Sequence, residues 1–144
     1  MHVLLIGGGV FLGGAVLDAA LARGHRVTVF NRGRARGAWP DGVEVVTGDR
    51  VTDLDRLAGR RWDAVVDTCG YVPVDVQASA AALQFACDAY LFVSSISAYA
   101  DTTAPMTDET QPLAAFDAIA PDDRDLRHYG PQKAACEAQV VHAF

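Results

Sequence analysis

The sequence predicts an α/β fold: a doubly wound parallel sheet of about five strands with helices on both faces. Three observations carry this. Short apolar runs recur along the chain with helical segments between them. The first run leads directly into glycines, Val3-Leu4-Leu5-Ile6-Gly7-Gly8-Gly9-Val10-Phe11-Leu12-Gly13. A serine cluster, Ser94-Ser95-Ile96-Ser97, closes the last such run. Strands separated by helical crossovers build a parallel sheet, and ligands of such sheets sit at the carboxyl ends of the strands.

His2 to Ile6 reads as a buried strand, and about Phe11 to Arg23 as a helix with Leu12, Val16, Ala19 and Ala20 on one face. Gly24 stops that helix. Arg26 to Phe30 is the second strand and Val43 to Thr47 the third. A short helix follows near Asp53 to Ala58, with Asp53 as its cap. Asp63 to Asp67 is the fourth strand. Pro73 to Asp88 reads as a helix whose Val76, Ala80, Leu83 and Cys87 share a face, and Tyr90 to Ser94 as the fifth strand. Residues 98 to 128 are rich in Asp, Pro, Ala and Thr with weak periodicity, and a loop of that length in a compact domain is functional or mobile. The final helix runs from about Tyr129 to Val141.

Composition narrows the function. With 144 residues the chain is long enough for one domain with a core, and 51% hydrophobic residues argue against disorder. No apolar run has the length of a membrane span, and the opening strand and glycines do not read as a signal peptide. A net charge of -6 argues against a nucleic-acid partner. Cys69, Cys87 and Cys136 lack metal-ligand spacing, and scattered thiols fit a reducing cytoplasm.

Tyr129 and Lys133 share one helix face, where a nearby cation favours a phenolate. The Gly7 to Gly13 turn suits the pyrophosphate of a dinucleotide, whose charge is met by backbone N–H groups and the helix N-terminus. At the end of the second strand Asn31-Arg32, with Arg34 and Arg36 behind, stands where an NAD enzyme offers an acid. A guanidinium there pairs with a 2′-phosphate and points to NADP, with NAD as the alternative.

With Phe30-Asn31-Arg32-Gly33, Gly48-Asp49-Arg50, Phe92-Val93-Ser94-Ser95-Ile96-Ser97-Ala98-Tyr99 and Tyr129-Gly130-Pro131-Gln132-Lys133 in this order, the chain resembles the short-chain dehydrogenase/reductase superfamily. The match is to its extended branch of nucleotide-sugar epimerases, dehydratases and reductases, with their Rossmann-type fold. The family places glycines at Gly7, Val10 and Gly13. Val10 departs from it, as in a subgroup that keeps Phe11-Leu12-Gly13.

The resemblance implies a cofactor site of Gly7, Gly9, Val10, Phe11, Leu12, Gly13, Asn31, Arg32, Asp49, Arg50, Thr68, Cys69, Gly70 and Lys133, with Asp49 accepting from the adenine amino group. It implies catalysis by Ser95, Tyr129 and Lys133, with Ser97 in reserve for Ser95. The asparagine that some members add is absent, since Asn31 is the only one. The expected substrate is a small carbonyl compound or a nucleotide sugar. The expected assembly is a homodimer through the helix at Pro73 to Asp88 and the helix carrying Tyr129. Family members continue into a substrate lobe, so residues 1 to 144 are expected to be a truncated cofactor-binding domain. That leaves a second reading, a dinucleotide-binding module without turnover. Some relatives in the glycine-variant subgroup bind RNA, which the acidic balance disfavours. His128, beside Tyr129, reads as a loop histidine, and Asp122-Asp123 as solvated loop charge.

Overall fold

A computed structural model of the chain describes residues 1–34, 38–103 and 108–144. It forms two compact units, Met1–Cys69 with Ala82–Val93, and Gly70–Ala81 with Ser94–Phe144. The first holds a five-stranded parallel sheet: β1 (His2–Ile6), β2 (Arg26–Asn31), β3 (Val43–Thr47), β4 (Trp62–Asp67) and β5 (Cys87–Phe92). The strand order is β3-β2-β1-β4-β5, so the direction of winding reverses beside β1. Such a reversal opens a crevice at the strands' carboxyl ends.

Alternation along each strand sorts the sheet's core into two layers. Leu5, Val27 and Val29 face one way and pack with Leu17 of α1 (Phe11–Ala22). Leu4, Ile6, Phe30 and Val65 face the other, against Leu57, Trp62 and Leu83. The buried stripe of α1 is Gly13 and Leu17, flanked by Val16 and Ala20, whereas Leu12 and Ala19 are exposed. The predicted face was therefore off by about one position. A stripe rich in alanine and glycine has little contrast with its neighbours, so the periodicity is shallow. Gly24 follows the C-cap at φ +73, the left-handed conformation that ends helices cheaply only with glycine.

The larger correction is at α2 (Pro73–Leu83). The predicted helix to Asp88 ends five residues early, and Cys87 lies on β5 rather than on the helix face. Ala86 N–H donates to Leu83 O at 2.9 Å, and the Ala86 carbonyl accepts from Trp62 N at 2.8 Å, which fixes the Trp62–Cys87 register. Strand pairing overrides helix propensity there. The Asp53 to Ala58 helix is a 3-10 turn, Leu54–Leu57.

In the second unit, the stretch after β5 holds 3-10 turns at Ile96–Ala98 and Leu126–His128 and one antiparallel bridge, Tyr99 to Leu113. The helix α3 (Tyr129–Ala143) closes the chain and buries Gln132, Lys133, Ala134, Cys136 and Val140. No helix among the described residues is long and apolar enough to cross a membrane.

Candidate functional site

In the first unit, β1 turns through Gly7 (φ +105) and Gly8 (φ +75) into α1. A Cβ on Gly7 would lie 2.4 Å from Thr68 Oγ1, and one on Gly13 would lie 2.8 Å from the backbone N and Cα of Gly8. Glycine at these positions lets the turn close onto the helix start. Val10 is the N-cap with φ -149 and ψ 165, extended backbone that any residue adopts, so a valine in place of the family's middle glycine brings no strain. Phe11 follows at φ +49, in the left-handed region, and is 94% exposed. No side chain caps α1, and its first turn carries no acid. Its N–H groups and partial positive charge therefore suit an anion, and the cradle fits a dinucleotide pyrophosphate.

Asn31 braces this turn. Its Nδ2 donates to Gly7 O at 2.9 Å, and its Oδ1 accepts from Gly33 N at 2.8 Å. Thr68 donates through Oγ1 to Ile6 O at 2.9 Å. Beyond Asn31 lies a cleft of about 230 Å³ lined by Arg32, Arg34, Thr47, Gly48, Asp49, Asp53 and Arg56. Both acids of this lining are already engaged. Asp49 Oδ1 accepts from Val51 N at 3.0 Å. Asp53 Oδ2 accepts from Asp49 N at 2.8 Å, and this bond, aided by Arg56, holds the Asp53 carboxyl below its ordinary range. Asp53 thus reaches back to Asp49 and makes no forward cap bond. Arg56, absent from the sequence reading, donates to Thr47 O at 2.7 Å. Its signal, a lone arginine in a short helical turn, is indistinguishable from ordinary surface charge. Arg36 lies outside the described residues.

Arg50 holds Asp67 with both terminal nitrogens, at 3.0 and 2.8 Å, and Tyr90 donates to Asp67 Oδ2 at 3.0 Å. The Asp67 side chain is fully buried. Burial disfavours the Arg50 charge, but the Asp67 carboxylate outweighs it and holds the guanidinium above its ordinary value. Cys69 N donates to Asp67 Oδ1 at 3.1 Å. Burial, followed by the Asp67 charge, pushes the Cys69 thiol up, which suits an inert thiol.

The second unit assembles the serine, tyrosine and lysine segments. Ser95 caps the Ile96–Ala98 turn, its Oγ accepting from Ser97 N at 3.1 Å, a bond that leaves the hydroxyl proton unused. A Cβ on Gly130 would stand 2.3 Å from the Ser97 carbonyl oxygen. The glycine after Tyr129 is thus what lets α3 approach the serine turn. Tyr129 opens α3 half-buried, and Lys133, one turn on, is only 2% exposed. Lys133 Nζ donates to Gly70 O at 2.8 Å and lies 5.6 Å from the centroid of the Tyr71 ring, whose centroid is 6.3 Å from that of Tyr129. Tyr71 was missed by sequence reasoning; the available signal was an aromatic residue directly after Gly70, beyond a strand's carboxyl end.

His128 lies in the turn before α3, as expected of a loop histidine, whereas Asp123 is bonded rather than merely solvated. His128 Nδ1 is 2.6 Å from Asp123 Oδ2, and Gln132 Nε2 donates to Asp123 O at 2.7 Å. The bond to His128 holds the Asp123 carboxyl below its ordinary range. Arg124 grips Asp75 of α2 at 2.9 and 3.0 Å. These contacts fasten the end of the long loop within its own unit. No group of metal-ligating residues occurs among the described residues.

No protein-family model and no curated protein matches the chain, but solved structures do. The enzyme WbmG of Bordetella bronchiseptica, in complex with NAD, superposes with a TM-score of 0.73 at 20% identity over 99% of this chain. MoeE5, in complex with UDP-glucose and NAD, gives 0.73 at 21% over 99%. The UDP-glucose 4-epimerase of Thermotoga maritima, with UDP-glucose, gives 0.74 at 16% over 99%. The chain has their Rossmann-type fold. It spans about half their length, covering 49%, 49% and 51% of those chains.

Proposed function

We propose that the chain is an NADP-dependent oxidoreductase or epimerase/dehydratase of the extended short-chain dehydrogenase type, with hydride transfer at a carbonyl or alcohol carbon. The observation that carries this reading is the approach of α3 to the serine turn over Gly130, which gathers the Ser95, Tyr129 and Lys133 segments in one unit. The solved proteins of the same fold, bound to NAD and UDP-sugars, support a nicotinamide cofactor and a nucleotide-sugar-like substrate.

When bound, the nicotinamide supplies or accepts a hydride at the substrate carbon. Tyr129 gives the accompanying proton to the substrate oxygen in reduction and takes it in oxidation. The Ser95 hydroxyl donates to the same oxygen as charge develops there. Lys133 supplies a fixed positive charge beside the phenol and a donor to the cofactor ribose. The glycine turn and the start of α1 hold the pyrophosphate. Arg32 and Arg34 bring positive charge to the cleft at the end of β2, where a 2′-phosphate would pair with a guanidinium.

Cofactor absorbance followed with simple carbonyl compounds and UDP-sugars tests turnover. Equilibrium titration tests the preference: NADP(H) should bind more tightly than NAD(H), and Arg32→Ala should erase the difference. Equal or tighter NAD binding by the unmodified chain overturns the preference. Cofactor binding without turnover of any substrate would instead support a dinucleotide-binding module.

A further inference from the structure

Lys133 is the only lysine in a chain with 12 Lys and Arg residues, and it is 2% exposed. Ten of the other cations fall among the described residues, all arginines, and none of them is as fully buried as Lys133. A buried ammonium needs partners on several sides, because desolvation of a charge is costly. Two come from consecutive residues. Gly70 contributes its carbonyl oxygen at 2.8 Å, and Tyr71 contributes its ring, 5.6 Å from Nζ to centroid. The same ring stands 6.3 Å from that of Tyr129, tilted by 38°. Tyr71 is itself 50% exposed, while Val72 and Pro73 beside it are buried. A large aromatic left half in solvent is therefore placed against both functional side chains of α3.

We infer that Tyr71 is a positioning residue: its ring face fixes the Lys133 ammonium and its tilted packing steadies Tyr129. The attraction of a cation to a ring face is electrostatic, so it needs the aromatic ring and not the hydroxyl. Phenylalanine should serve at this position, and an aliphatic residue of similar bulk should not. The consequence for cofactor affinity rests on the reading of Lys133 given above; the contact itself does not.

One lysine makes the test site-specific. In protein labelled with ε-¹³C-lysine, a single lysine side-chain signal reports on Lys133. Tyr71→Leu should move its ε-methylene proton resonance downfield, through loss of shielding above the ring, and Tyr71→Phe should leave it in place. Titration with NADPH should show Tyr71→Leu binding between about 2-fold and 30-fold more weakly than the unmodified chain. Lys133→Met should weaken binding as well, and the double variant should be no weaker than Lys133→Met alone, since the ring acts through the ammonium.

An unmoved resonance in Tyr71→Leu overturns the inference. So does full affinity in Tyr71→Leu when Lys133→Met is impaired, or losses that add in the double variant. If instead Lys133→Met binds NADPH like the unmodified chain while the resonance still moves, the reading of Lys133 fails and its contact with Tyr71 stands.

Discussion

At the scale of single residues, the placement of Tyr129 and Lys133 on one helix and of the serine run after a strand was legible, because each depends on local spacing. Tyr129 and Lys133 are one helical turn apart, and the serine run ends a strand, whatever the rest of the chain does. Tyr71 was not legible, because its contacts reach more than 50 residues along the chain to α3. Two outcomes are expected here. Tyr129→Phe should lower turnover by about 10²–10⁴-fold with cofactor affinity nearly intact, because the role proposed for the phenol is on the substrate oxygen and not on the dinucleotide. Steady-state rates beside a binding titration would check this, and unchanged turnover would remove Tyr129 from the mechanism. Gly130→Ala should destabilise by about 1–3 kcal/mol, because its Cβ would meet the Ser97 backbone carbonyl and not a side chain that can rotate away. Its α3 would have to back off from the serine turn. Denaturant midpoints measure the cost, and a Gly130→Ala variant as stable as the parent would mean that this contact does not set the approach.

At the scale of elements, the type of each of the five strands and of α1, α2 and α3 was legible, and boundaries were set by pairing that no local window contains. β5 begins at Cys87 because Trp62 pairs there across the sheet. The 3-10 character of Leu54–Leu57 follows from a turn too short to complete an α-helical ladder. Distance in sequence also hid the brace of Arg50, Asp67 and Tyr90, which joins the segment after β3 to β4 and β5. Arg50, expected at the cofactor, also has a structural role, since its terminal nitrogens donate to Asp67. Asp67→Asn keeps the shape and removes the charge. It should cost about 3–5 kcal/mol, because it leaves a mostly buried guanidinium without its counter-charge. Adding Arg50→Met should recover part of that loss. Thermal or urea unfolding of the three variants decides it: if the double variant is less stable than Asp67→Asn alone, the cost does not come from the stranded charge.

At the scale of the whole molecule, the question is what covers its exposed apolar residues. On α2, Ala78, Ala81 and Ala82 are exposed at helical spacing, and Phe85 just beyond is 86% exposed. On α3, Ala138 is exposed, Val141 is 80% exposed, and Phe144 at its end is 51% exposed. Single exposed apolar residues are ordinary, but stripes along a helix favour a partner. Small alanines let another helix come close, and a phenylalanine at the end of the stripe supplies an anchor of large area. The net charge of -6 on each copy opposes self-association, so any such association must come from apolar contact and should strengthen with salt as that repulsion is screened. We therefore expect the chain to self-associate through α2, as the family resemblance also implies. Ala81→Arg should weaken association by at least about tenfold, since a cation would be forced into an apolar interface. Sedimentation over a range of concentration and salt tests this. A clean monomer at high protein concentration refutes self-association, and an unaffected Ala81→Arg variant moves the interface away from α2.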